Sequence, residues 1–393
     1  MKKILSILTP ICLVLGIAFG LLFGDLVSYV EFIGVWYVNI LKVLIGPVIF
    51  TSIALTIYKS AGNKDRLILK SVICFVLMFL CSFILSSLLV SLFNPAGSFS
   101  FDSGEWSGQT ISFSLKDMLL NLFPKNLKEV FISPKVFFII LISWLFGRVA
   151  AFFKGSTALF NALEKLKEWL FKGLEIFMYT TPFAVFSLMA VTASKYGFEL
   201  LKAGFRYIGA AYLCSLAVVI IVMILPVWLF AGISPKEYIK RVGKIWVLTF
   251  TTCSSAATLP YTVKLCKEEF KIPEKITDVV VPLGCTIHMC GGAVSFALLG
   301  LFCAKLYGIE MGIGSWFFMA LAAMLINMAA PGIPGGGIVI GASYLSMMGI
   351  PLGFMGFYSG IYKFLDMVYT TLNVTGDISA NILIHALSFK KRG

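Results

Sequence analysis

The feature that most constrains this chain is a succession of apolar runs, each about twenty residues long, separated by short charged loops. Twenty residues of α-helix rise about 30 Å, the thickness of a bilayer's hydrocarbon core. A soluble chain of 393 residues that is 59% hydrophobic and 13% charged has too little polar surface to cover its apolar atoms. The expected fold class is an all-α polytopic membrane protein. Spans are expected at about 4–23, 33–57, 68–93, 134–153, 172–193, 207–231, 277–304 and 353–388. The first run follows Lys2 and Lys3 as a signal peptide would, but its length suits a span. The nine cysteines lie almost all in apolar runs and read as reduced core residues, not a disulfide framework.

Charge sets the topology. The net charge of +13 belongs with basic cytoplasmic loops. No basic stripe with interleaved aromatics stands outside the apolar runs, so no nucleic-acid partner is expected. Lys2 and Lys3 place the N-terminus inside, and Lys59, Lys64, Arg66 and Lys70 place the second loop inside. Arg148 and Lys154, then Lys236, Lys240, Arg241 and Lys244, follow the same rule, while Lys195, Lys202 and Arg206 vote against it. Lys390, Lys391 and Arg392 put the C-terminus inside too.

Two stretches break the alternation. "IWVLTFTTCSSAATLPYTV", residues 245–263, has basic clusters on both flanks and a small, polar middle. A hairpin that enters and turns back, over about 236–267 with its tip near Ser254 and Ser255, keeps both clusters inside. "APGIPGGG", Ala330–Gly337, packs two prolines and four glycines into eight positions within a segment free of Lys and Arg from Tyr307 to Tyr362. It reads as the tip of a second hairpin, about 312–348, entering from outside. Eight spans with two opposed re-entrant hairpins are the layout of inverted-repeat secondary transporters, whose solute meets the broken helix ends at the midplane.

Acids inside such helices are costly and functional by default. Asp366 and Asp377 lie eleven residues apart on the last span, with Thr370 and Asn373 on the same face. A carboxylate there holds an ammonium group or a cation. "GCTIHMCGG" puts Thr286, His288 and Cys290 in span seven among Gly284, Gly291 and Gly292, whose spacing suggests unwound backbone. His288 reads either as a neutral core histidine or as a proton carrier. No metal cluster with a second ligand pair is present, and no serine elbow or nearby acid–base pair supports an enzyme.

"TTCSSAATLP", "VPLGCTIHMCGG", "PGIPGGG" and "YTTLNVTGD", in this order and spacing, together with "LFNPAG" and "PFAVFSLMA", resemble the dicarboxylate/amino acid:cation symporter family, the glutamate transporter family. The resemblance implies a homotrimer working by an elevator mechanism. Residues 1–60 and 130–200 would form the scaffold, and 61–95 and 201–393 the mobile transport part. It implies that Asp366 holds the substrate ammonium, and that Asn373 and the backbone at Ser254 and Ser255 hold the α-carboxylate. Gly292, Gly332, Pro334, Tyr369 and Thr370 would complete the substrate pocket. One sodium site would use Asp377 with carbonyls near Gly284, His288 and Asn373. Another would use Thr286 with backbone at Asn327, Met328 and Ala330.

Departures from the family pattern carry the specificity. Tyr369 stands where acidic-substrate members have arginine, and Gly292 where they have threonine. Without those groups a side-chain carboxylate would be buried unpaired. His288 and Cys290 replace an asparagine and an aspartate of a further sodium site, whose span-three ligands become Phe75, Met78 and Phe79. Tyr362 replaces an upstream aspartate, and Cys253 the arginine of the first hairpin tip. The expected function is import of a neutral amino acid across the cell membrane, coupled to fewer sodium ions than the family pattern or to protons, with no cofactor. A non-transporting, sensor-like homologue and a dicarboxylate transporter are the alternatives.

Overall fold

The computed structural model describes residues 2–60, 66–97, 136–153, 156–327 and 336–389. Every regular element among them is helical: α1 Lys2–Leu22, α2 Ser28–Ser60, α3 Arg66–Phe93, α4 Val136–Ala150, α5 Ser156–Phe177 and α6 Thr181–Val218. Then follow α7 Pro235–Thr252, α8 Ser255–Glu268, α9 Glu274–Ile287, α10 Cys290–Leu306, α11 Ile313–Asn327, α12 Gly336–Met347 and α13 Met355–Phe389. The tip of the second expected hairpin, residues 328–335, lies outside the described residues, and so does most of the segment between α3 and α4.

The exterior is apolar. On α3, Leu69, Ile73, Leu77, Ile84, Leu88 and Leu92 form an exposed stripe, while Ser71, Ser82, Ser86 and Ser87 are buried. A water-soluble helix would reverse this order; hydrocarbon outside explains it, because small polar side chains turn away from lipid toward neighbouring helices. Ser71 and Ser82 donate to the carbonyls four residues back, at 2.8 and 2.7 Å. Among the described residues Arg66–Phe93, Gly197–Ala231 and Glu274–Leu306 are long and apolar enough to cross a bilayer.

Packing divides the helices around α13. On one side α1 packs along α6, and α2 packs against α4, α5 and α6. On the other, α3 packs against α9 and α10, while α13 contacts α6, α7, α8, α9, α10 and α12. Hydroxyl and indole bonds zip α7 to α13. Tyr238 meets Ser379 at 2.5 Å, Trp246 Nε1 donates to Thr375 at 3.0 Å, and Thr249 meets Thr371 at 2.9 Å. The residue numbers run in opposite senses, so the two helices are antiparallel. On α9 and α10, Thr277 pairs with Asn381 and Gly291 with Asn373, again antiparallel to α13.

One expected span is corrected. Residues 172–193 do not form one helix: α5 ends at Phe177, a 3-10 turn covers Met178–Thr180, and α6 begins with Pro182 in its first turn. Proline suits a first turn because its missing N–H would have no partner there. Helix α5 was absent from the expected spans. Its Phe160 and Leu163 pack with Ala54, Leu55 and Ala150, while Leu159, Leu166 and Trp169 are exposed. Helix α6 kinks at Gly197, with φ 59° and ψ −145°, a conformation only glycine adopts cheaply. The expected boundary after residue 200 falls inside α6, just past this kink.

Candidate functional site

Two helix breaks and the α13 face converge on one cavity. The first break separates α7 from α8. Cys253 takes a left-handed φ of 50°, its N–H bonds Thr249 O at 3.0 Å, and Ser254 caps α8 by accepting from Ala257 N at 3.2 Å. A helix start presents N–H groups without intrahelical partners, a ready anion site. Helices α7 and α8 pack on each other, so the chain turns back here. At their far ends Arg241 ties α7 to Glu269 O at 2.8 Å, and Lys244 pairs with Glu269 at 2.6 Å.

The second break, at His288–Met289, interrupts a run that otherwise continues from α9 into α10. Both residues leave the helical region, with φ −106° and ψ 105° at His288 and φ −133° and ψ 83° at Met289. The released groups are satisfied by polar side chains from other helices, as a break at membrane depth requires. Gly291 N donates to Asn373 Oδ1 at 2.7 Å, and Asn327 Nδ2 reaches Met289 O at 3.4 Å. With its oxygen so engaged, Asn373 keeps its NH₂ for a ligand. Gly292 is required by the same approach, since a Cβ there would collide with Asn327 Oδ1.

The cavity between these elements encloses about 60 Å³. Cys253, Ser255, Gly292, Asn327, Asp366, Tyr369, Thr370 and Asn373 all line it, which brings together most of the expected substrate residues. Thr370 Oγ1 donates to Asp366 Oδ1 at 3.3 Å, and Asp366 is buried. Asp366 is the one acid among the described lining residues, which include no Lys, Arg or His. Gly332 and Pro334 lie outside the described residues. Sequence reasoning missed Lys363, whose Nζ donates to the Cys253 thiol at 3.1 Å, one turn before Asp366. A lysine in an apolar helix was the available signal.

The residues expected to hold a cation divide. His288 Nδ1 lies 2.9 Å from Asp377 Oδ1, and its Nε2 lies 3.1 Å from Cys290 Sγ. Phe75 stacks on the imidazole at 4.7 Å. A Cβ on Gly284 would sit 2.5 Å from Asp377 Oδ1, so glycine admits this close approach. The Gly284 carbonyl accepts from His288 N at 2.8 Å. An imidazole thus occupies the place beside Asp377 where a bare cation would need oxygens. Phe75, Met78 and Phe79 are buried nearby, as core residues. Thr286 is exposed and bonds Leu283 O at 2.7 Å, while Asn327 is buried. No hydrogen bond joins Thr286 to Asn327; Met328 and Ala330 lie outside the described residues. No group of three or more His, Cys, Asp or Glu residues among the described ones is placed to hold a metal.

An apolar shell around a polar cavity walled by interrupted helices defines a membrane transporter. Over residues 5–387 the chain matches the sodium:dicarboxylate symporter family, and it belongs to that family. Its members are transporters, not enzymes. The chain is 25% identical to a proton/glutamate-aspartate symporter of Bacillus subtilis (strain 168), across 98% of this chain and 95% of that protein. It is 28% identical to a proton/sodium-glutamate symport protein of Geobacillus stearothermophilus, across 95% and 91%. A C4-dicarboxylate transport protein of Paraburkholderia phymatum is 26% identical, across 98% and 92%. The chain is therefore a cation-coupled symporter.

Proposed function

We propose that this symporter imports a neutral amino acid. The observation that carries the reading is the cavity lining, with one carboxylate, Asp366, and no base. Asp366 takes the substrate ammonium; the α8 N-terminus at Ser254 and Ser255 and the Asn373 amide take the α-carboxylate. Lys363, behind Cys253, balances the charge of Asp366, so a zwitterion of zero net charge leaves the site neutral. A second carboxylate would find no fixed partner at Tyr369 and would be buried at a cost of several kcal/mol.

The same proposal includes the architecture. Eight spans and two opposed hairpins, α7–α8 and α11–α12, are cut into a scaffold around α1, α2, α4 and α5 and a transport part around α13. Three copies assemble, both termini are cytoplasmic, and the transport part moves as an elevator. The division of packing around α13 and the antiparallel hairpin of α7 and α8 support this reading. Coupling uses protons, or sodium at fewer sites than the family pattern, because His288 occupies the Asp377 carboxylate. Transport of dicarboxylates is the second reading, favoured by the name of the Paraburkholderia relative.

Competition for uptake in cells or liposomes separates the two readings. Neutral amino acids should outcompete aspartate and malate. Tyr369→Arg restores a fixed cation, and the account expects it to move preference toward acidic substrates by on the order of tenfold or more. Malate outcompeting every neutral amino acid in the wild type would decide for the second reading.

A further inference from the structure

Lys363 is a part-buried lysine inside α13, one turn before Asp366. Its ammonium reaches the first helix break: Nζ donates to Cys253 Sγ at 3.1 Å, and Cys253 lines the cavity next to the Ser254 cap of α8. A thiol is a weak acceptor, and among the described residues Lys363 makes no ion pair. Lys363 and Asp366 both act electrostatically on Cys253, so one cation and one carboxylate stand about the same tip. A charge at membrane depth is costly and calls for a function. Holding a thiol does not supply one, since a neutral side chain of the same length would pack against Cys253 without that cost.

The charge acts on what enters the cavity. With Asp366 alone, a ligand's ammonium neutralises the site, and an added α-carboxylate leaves one negative charge in excess. With Lys363 present the balance reverses. A zwitterion leaves the site neutral, and an amine without a carboxylate leaves one positive charge in excess. An uncompensated buried charge is costly, and in a site of low dielectric an ammonium acts on it without touching it. The free N–H groups at the start of α8 favour an anion at the tip that Lys363 holds. We infer that Lys363 is a positioning residue that makes the α-carboxylate obligatory: acting through the Cys253 tip, it supplies the countercharge of that group. The carrier then admits α-amino acids and rejects simple amines and amino-acid amides. The inference rests on the reading of the cavity as an amino-acid site and adds what enforces the carboxylate end of the substrate.

The test compares alanine with alaninamide and serine with serinamide as ligands of the purified full chain. Binding is measured at about pH 6, where the α-amino group of all four is protonated. The members of each pair differ only in the carboxylate. The wild type should bind the amino acid more tightly than its amide. In Lys363→Met the ratio of the two affinities should fall by on the order of tenfold or more, while Lys363→Arg, which keeps the charge, should hold it near the wild-type value. Lys363→Gln is the second neutral variant should Lys363→Met fail to assemble. A purely structural lysine would weaken both members of a pair by the same factor, so an unchanged ratio overturns the inference. Equal binding of alanine and alaninamide by the wild type overturns it too, while leaving the neutral amino-acid reading intact. If no neutral amino acid binds at all, both readings fall.

Discussion

In the Asp366→Asn variant, substrate binding should be lost while the protein still assembles and elutes as the wild type does. Asp366 is the single carboxylate among the described residues of the cavity, held by Thr370 at 3.3 Å on the buried face of α13. An ammonium deprived of this partner keeps only neutral acceptors. Truncating one member of a buried charge pair costs roughly 2–5 kcal/mol, on the order of thirty- to several-thousand-fold in affinity. Calorimetry on purified protein reads the loss directly. Thr370→Val, which removes only the supporting hydroxyl, should weaken binding by less, about 1 kcal/mol. Unchanged affinity in Asp366→Asn would take this residue out of the site and with it the ammonium end of the proposed substrate.

The second large effect belongs to His288→Ala. It removes the one side chain among the described residues that hydrogen-bonds the Asp377 carboxylate, at 2.9 Å, and leaves that group buried between α9 and α13. Breaking such a pair typically costs about 3–5 kcal/mol. In sodium-free buffer the variant should therefore melt well below wild type. Removing the imidazole also opens the space beside Asp377 and Gly284, where a small cation can enter. Adding sodium should raise the melting temperature of His288→Ala more than that of the wild type, because a ligand that binds only the folded state stabilises it. The control is His288→Ala combined with Asp377→Asn, which removes the stranded charge and should lose the sodium response. A variant as stable as wild type, with no response to sodium, would show that the imidazole does not stand in for a cation.

Much of this was legible in the sequence, for local reasons. The break at Cys253–Ser254 was marked by a run of small polar residues, and the last helix by its stripe Asp366, Thr370, Asn373 and Asp377 at helical spacing. Both signals act over a few residues, and the structure places them as the spacing requires. Helix α5 escaped because a window tuned to uniformly apolar runs passes over a helix with one charged face; Leu159, Leu163, Leu166 and Leu170 carried the 3.6-residue period that would have found it. The pairing of His288 with Asp377 joins residues 89 apart in the chain, and no local pattern specifies such a contact. Lys363 showed in the sequence only as a lysine in an apolar helix, three residues before Asp366. Its place beside Cys253 depends on how α7 meets α13, which only the packed structure provides.

The account's central claim, cation-driven import of a neutral amino acid, is tested most directly by uptake into liposomes holding the purified wild-type protein. Radiolabelled serine, alanine, aspartate and malate are presented in turn under an inward sodium gradient alone, an inward proton gradient alone, and no gradient. The predicted result is accumulation of a neutral amino acid above equilibrium under at least one cation gradient, abolished when that gradient is collapsed by an ionophore. Aspartate and malate should accumulate little in the same vesicles. Concentrative uptake of aspartate or malate in preference to both neutral amino acids, or no gradient-driven uptake of any of the four, would contradict the claim.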